Sequence, residues 1–223
     1  VTAVGSGVVV VLPDHWTSVP LRDLAGRERA VRAVVRRRLG VADGRAHLRR
    51  ELTRDLTASA RRAADAGAWL LALYALPVPQ PTGASRDDRR ADRSGDHPLA
   101  VVTASLTASV LPLPGGGRGL DAVAAAVGGA ARTAAGAGDR TLVRGTGSLG
   151  PVLRRRRVLD RPDGSQHVVW DAWLDVPASR GGAAVHHLAV ASEHVELLEP
   201  LTGLVDAVVG AVHLLHDRDR PAA

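Results

Sequence analysis

The segment from Leu99 to Leu111 constrains the fold more than any other. Val102, Ala104, Leu106, Ala108 and Val110 alternate with Thr103, Ser105, Thr107 and Ser109. A period of two places every second side chain on one face, so this is a β-strand with one apolar and one polar face. A strand of this length cannot satisfy its backbone alone. It needs strand pairing, and its apolar face needs a covering layer.

The rest of the chain supplies both. Val8 to Leu12 reads as a buried strand closed by Pro13, with Asp14, His15 and Trp16 as a turn carrying one large anchor. Asp23 can cap a helix to about Leu39, with Gly40 as its stop and Leu24, Val31, Val34, Val35 and Leu39 as its stripe. Asp43 can cap a second helix to about Ala66, stopped by Gly67. There Leu48, Leu52, Leu56, Ala60 and Ala63 line one face. Ala68 to Leu76 is a further strand, and 77–98 is a low-complexity mobile loop. Leu120 to about Ala135 is an Ala/Gly helix, followed by a short strand from Thr141 to Arg144. Val152 to Leu159 and His167 to Val176 form a hairpin turned at Asp163-Gly164. Ala183 to Ser192 is the last strand, and a helix from Pro200 to Leu215 closes the fold.

Short turns between the later strands make them antiparallel. The fold class is therefore α/β (α+β): a mostly antiparallel sheet covered by helices. One domain spans 1–216, with a frayed tail at 217–223.

Composition narrows the chemistry. Lys, Ile, Asn, Phe, Met and Cys are all absent, and all 29 basic residues are Arg. Apart from Cys, the missing residues have codons rich in A and T, so a GC-rich genome accounts for the pattern. Within these 223 residues, zero Cys excludes disulfides, thiolate metal sites and thiol nucleophiles. Zero Lys excludes a Walker A phosphate loop and Schiff-base chemistry. No stretch reads as a signal peptide or membrane span, which leads to the expectation of a cytoplasmic protein without membrane partners.

Two segments carry a resemblance. The opening Val8-Val-Val-Val-Leu-Pro-Asp-His-Trp16, together with the closing strand Val185 to Ala191 and its following helix, resembles the start and finish of PsbP-like domains. The helix pair at 23–66 and the loop at 77–98 depart from the compact version of that family. The resemblance extends to uncharacterised actinobacterial chains. It implies a binding or assembly module and names no partner.

Several motifs approach known chemistry. His186, His187, Glu193, His194, Glu196 and Glu199 form the densest group of potential metal ligands, and the first four are the basis of a rival reading as a metal-dependent hydrolase. Adjacent His residues on a strand point to opposite faces, which argues against convergence. Gly115 to Gly119 could present N–H groups to a phosphate but lacks the Gly-Lys-Ser/Thr ending. Thr146-Gly147-Ser148-Leu149-Gly150 falls one glycine short of a nucleophile elbow.

The basic surfaces carry the main reading. Arg154, Arg155, Arg156 and Arg157 alternate on one strand, as an anion site or as solvated edge charge. Between Arg22 and Arg62, thirteen Arg face five acids, a local charge of +8 that exceeds the +6 of the whole chain. Arg36, Arg37 and Arg50 are the contact residues singled out there. No aromatic residue accompanies them, so nucleic acid is a weaker partner than protein. Trp173, between Asp171 and Asp175, is a partner contact if exposed and a core residue if it packs under a helix. The resulting expectation is a non-enzymatic module that engages a protein through Arg-rich surfaces, with no catalytic residues, metal or cofactor.

Overall fold

The computed structural model describes residues 2–5, 7–41, 46–79, 99–112, 119–133, 141–176 and 184–214. In chain order these form β1 (Thr2–Gly5), β2 (Val8–Val11), β3 (Trp16–Val19), α1 (Leu24–Leu39), α2 (Ala46–Asp65), β4 (Leu70–Pro79), β5 (Leu99–Pro112) and α3 (Gly119–Thr133). There follow β6 (Thr141–Gly147), β7 (Gly150–Asp160), β8 (Gln166–Val176), β9 (Ala184–Ser192), a 3-10 turn (Val195–Leu197), α4 (Leu198–Gly210) and β10 (Val212–Leu214).

Seven strands pair in the order β3-β4-β5-β9-β8-β7-β6, and β1-β2-β10 form a small second sheet. Every pairing is antiparallel. The alternating strand β5 lies inside the large sheet, between β4 and β9. Its register fixes what each face carries. Leu106 lies level with Ala72 and Val190, while Thr107 lies level with Leu71 and Ala189.

The even-numbered residues of β5 point into the main core. There Val8, Val10, Leu106, Leu174, Leu188 and Val208 are each at most 2% exposed. This face is closed by α4 and the small sheet. Burying each such side chain contributes roughly 1.5–3 kcal/mol. The opposite face carries α1 and α2 over β3 and β4, where Val19, Val34, Ala60, Leu71 and Leu73 form a second core. It also carries α3, which packs Leu120 on Leu153, Trp173 and Val185 in a third. The result is a central antiparallel sheet with α1–α3 on one face and α4 with the small sheet on the other.

Sequence expectations failed at the ends of elements. The turn at Asp14–Trp16 leads into a strand, because Trp16 pairs with Tyr74 and their rings lie 5.3 Å apart. The closing helix stops at Gly210, and Val212 to Leu214 return as β10 against β2. The apolar stripe there did not distinguish a helix turn from a buried strand. Asp23 makes no capping hydrogen bond from its side chain, which lies 3.6 Å from Arg29. On α2, only Ala60 and Ala63 of the expected stripe are buried, and Leu48 is 42% exposed. The segments 80–98, Gly115 to Arg118 and the tail lie outside the described residues.

Candidate functional site

The run Arg154–Arg157 lies on β7, which is paired on both sides, to β6 and β8. Solvated edge charge is therefore not its role. Strand alternation splits it as expected, and each half meets acids from within the chain. On the α4 side, Arg154 reaches Asp206 at 2.6 Å and Arg156 reaches Glu199 at 3.3 Å. On the α1–α3 side, Arg155 and Arg157 converge on Asp171 of β8.

Asp171 is 4% exposed. Its Oδ2 accepts from Arg155 Nε at 3.0 Å, Arg155 Nη2 at 2.8 Å and Arg157 Nη2 at 3.0 Å. Its Oδ1 lies 3.0 Å from His187 Nε2. Both oxygens of the buried carboxylate are thus engaged by side chains of the chain itself. Burial alone would raise the Asp171 carboxyl. Hydrogen bonds from His187 and Arg155, with the charges of Arg157 and Arg155, outweigh that and hold it below its ordinary range.

Trp173 completes this node. It is 4% exposed under α3, so it is a core residue and not an exposed partner contact. His187 stacks on it at 5.1 Å with 11° between the planes, and the Arg155 guanidinium lies 5.2 Å from the ring centroid. A cation near an indole gains from the ring quadrupole. Trp170, of opposite parity, enters the main core and donates from Nε1 to Thr202 at 3.0 Å.

The potential metal ligands do not come together. His186 points into the main core at 3% exposure, while His187 points to the other face and Asp171. Burial pushes the His186 imidazole below its usual value. Glu193 pairs with Arg161 at 2.7 Å and His194 with Glu196 at 3.0 Å. Among the described residues, no group of three or more His, Asp or Glu is placed to hold a metal. The near-elbow is the β6–β7 hairpin turn, with Gly150 at φ +118°. Ser148 donates its hydroxyl to the Val212 carbonyl, tying the large sheet to β10.

The second basic surface has a different character. Between α1 and α2 lies a groove of about 380 Å³ lined by Arg29, Arg32, Val35, Arg36, Arg49 and Thr53. Four of the six are cations and none is an acid. Arg29, Arg32 and Arg36 are exposed, as are Arg37 and Arg50 on the same helices. Arg37 reaches Thr17 at 3.2 Å. Two exposed acids pair with lining arginines: Asp23 is 3.6 Å from Arg29, and Glu28 is 3.4 Å from Arg32. Arg38 turns the other way, donating to the Tyr74 carbonyl at 3.2 Å. Its burial pushes the guanidinium down, opposed by the charge of Glu193.

Sequence reasoning thus placed the Arg clusters but missed Asp171. The available signal was an Asp between two apolar residues, Trp170 and Ala172, on a strand that pairs with four Arg. Partner strands were needed to read it.

No family model matches the chain, and no curated protein matches it. Among solved structures, the chain is similar to LpqN, described as involved in cell envelope biogenesis of Mycobacterium tuberculosis. The TM-score is 0.46 at 13% identity, covering 94% of this chain and 83% of that one. The PsbP-like resemblance rests on the residues at the two ends alone.

Proposed function

We propose that this chain is a non-enzymatic binding module that engages an acidic protein segment through the groove between α1 and α2. The observation that carries the reading is a groove of about 380 Å³ lined, among the described residues, by four Arg and no carboxylate. Guanidinium groups pair with carboxylates in a two-pronged geometry, and their stems offer apolar surface beside it. The ion pairs of Arg29 and Arg32 are exposed, and such pairs contribute little, so a partner's acids can replace them. Val35 in the groove and the exposed Leu48 on α2 add apolar contact. Neither helix carries Phe, Trp or Tyr for stacking on bases, which favours protein over nucleic acid.

Arg154–Arg157 leave this surface, since their partners are internal. The test is a fluorescence anisotropy titration with a labelled Glu-rich peptide containing spaced Leu residues. A single-stranded oligonucleotide of equal charge serves as the counter-probe. Binding of the peptide that weakens with salt, and weakens about tenfold in Arg36→Glu, is expected. Tighter binding of the oligonucleotide, or no peptide binding at low salt, would contradict the proposal.

A further inference from the structure

The groove between α1 and α2 has a cationic wall on each side. On α1, Arg29, Arg32 and Arg36 stand at i, i+3 and i+7, so they share one face of the helix. On α2, Arg49 and Thr53 stand about one turn apart on the other wall. Val35, buried at 3% exposure, adds an apolar patch. The Thr53 hydroxyl donates to the Arg49 carbonyl at 2.7 Å, so its proton is already committed. The lining donors left for an anion are therefore guanidinium groups.

The space is small for that much charge. A volume of about 380 Å³ lies near the lower end of the range for small-molecule pockets, roughly 300–1,000 Å³. It admits one or two side chains of a partner and not a run of acids. Asp23 and Glu28 reach Arg29 and Arg32 only at 3.6 and 3.4 Å. These are long contacts beside the roughly 2.7–2.9 Å of a charge-assisted hydrogen bond, so the forks of both arginines stay available.

Charge density separates the anions that a protein segment can offer. A carboxylate carries one charge on two oxygens and takes one guanidinium fork. A phosphomonoester carries about −1.5 to −2 at neutral pH on three terminal oxygens. Arginines from opposite walls can bond it at once. It concentrates in one group what the groove would otherwise need from two Glu residues.

We propose that the group this groove reads is a phosphomonoester, the phosphorylated Ser of an acidic segment in a partner protein. The inference rests on the acidic-segment reading above and narrows it to one group. Arg36 is exposed and pairs with no acid among the described residues, so it is the arginine to change first.

The experiment is fluorescence anisotropy in about 0.15 M salt, where exposed pairs are screened beyond roughly 8 Å. Three labelled peptides share one sequence containing Glu and Leu. Their central position is Ser, phosphoserine or Glu-Glu, the last matching phosphoserine in charge. Vesicles containing phosphatidic acid present the same phosphomonoester on a lipid surface. We expect phosphoserine to bind about fivefold or more tighter than Glu-Glu, and this preference to be lost in Arg36→Gln and in Arg32→Gln. Thermal melts check that each variant folds, and one folded variant suffices. Binding of the phosphoserine peptide alone also supports the site. A smaller preference, with both acidic peptides bound, overturns this inference and leaves the acidic-segment reading standing. No binding of any peptide overturns both. A preference retained in a folded variant moves the phosphate to another surface, and tighter binding of the vesicles assigns the groove to a membrane. Either result overturns the proposal.

Discussion

Replacing Asp171 by Asn tests whether the node is held by charge or only by shape. Asn has the same outline and keeps one acceptor oxygen, so packing under α3 is preserved. What is lost is the charge that three Arg N–H bonds share on Oδ2. Hydrogen bonds to a charged group contribute roughly 1.5–3 kcal/mol against about 1 for a neutral pair. Three such downgrades come to roughly 1.5–6 kcal/mol. Arg155 and Arg157 are 17% and 26% exposed, so water recovers part of this, leaving about 2–3 kcal/mol. Urea unfolding at neutral pH reads the difference as a midpoint lowered by about 1 M, taking a slope of about 2–3 kcal/mol/M.

The pH dependence adds a second arm. The Asp171 carboxyl is held below its ordinary value of 3.8, so the folded state keeps it ionised where the unfolded chain takes up a proton. Its stabilisation is therefore complete above the unfolded value and is lost as pH falls through the folded one. The gap between wild type and Asp171→Asn should be full at neutral pH and close below pH 3.8. A gap under about 0.5 kcal/mol at neutral pH, or one that persists undiminished in acid, refutes the electrostatic account of the node.

Three further outcomes follow from other positions. His186 is buried and neutral, with its ring pushed below the ordinary 6.5, so acid favours the unfolded state, which takes the proton. His186→Leu should flatten the loss of thermal stability between pH 7.5 and pH 5.5, and an unchanged slope would remove His186 as its source. Ser148→Ala should cost about 1 kcal/mol by chemical denaturation, from the lost hydrogen bond to Val212. Arg154→Gln breaks a pair with the half-exposed Asp206, and a double-mutant cycle with Asp206→Asn should give a coupling below about 1 kcal/mol.

The sequence carried the layers of the fold better than its edges. Alternation in β5 marked its two faces, because a half-buried strand shows its period directly. The small sheet escaped notice because β10 is three residues long and continues the apolar pattern of α4. The split of Arg154–Arg157 followed from parity alone, but its meaning depended on which strands lie beside β7. Asp171 and Glu199 are distant in sequence from the arginines they hold, and only the register brings them together. His186 and His187 were separable by the same parity, which is why the potential metal ligands could be doubted before any coordinates. An Arg-rich composition concealed the difference between an exposed basic groove and a run paired with acids of the chain itself.

One paired measurement tests whether the two arginine clusters have different work, one in binding and one in bracing the sheet. Anisotropy with the acidic peptide and urea unfolding are run on Arg36→Glu/Arg49→Glu and on Arg155→Met/Arg157→Met. The first variant should lose peptide binding by about tenfold or more while its unfolding midpoint stays put. The second should unfold at lower urea while its folded fraction binds the peptide as wild type does. Loss of binding in the second variant with none in the first would contradict the account.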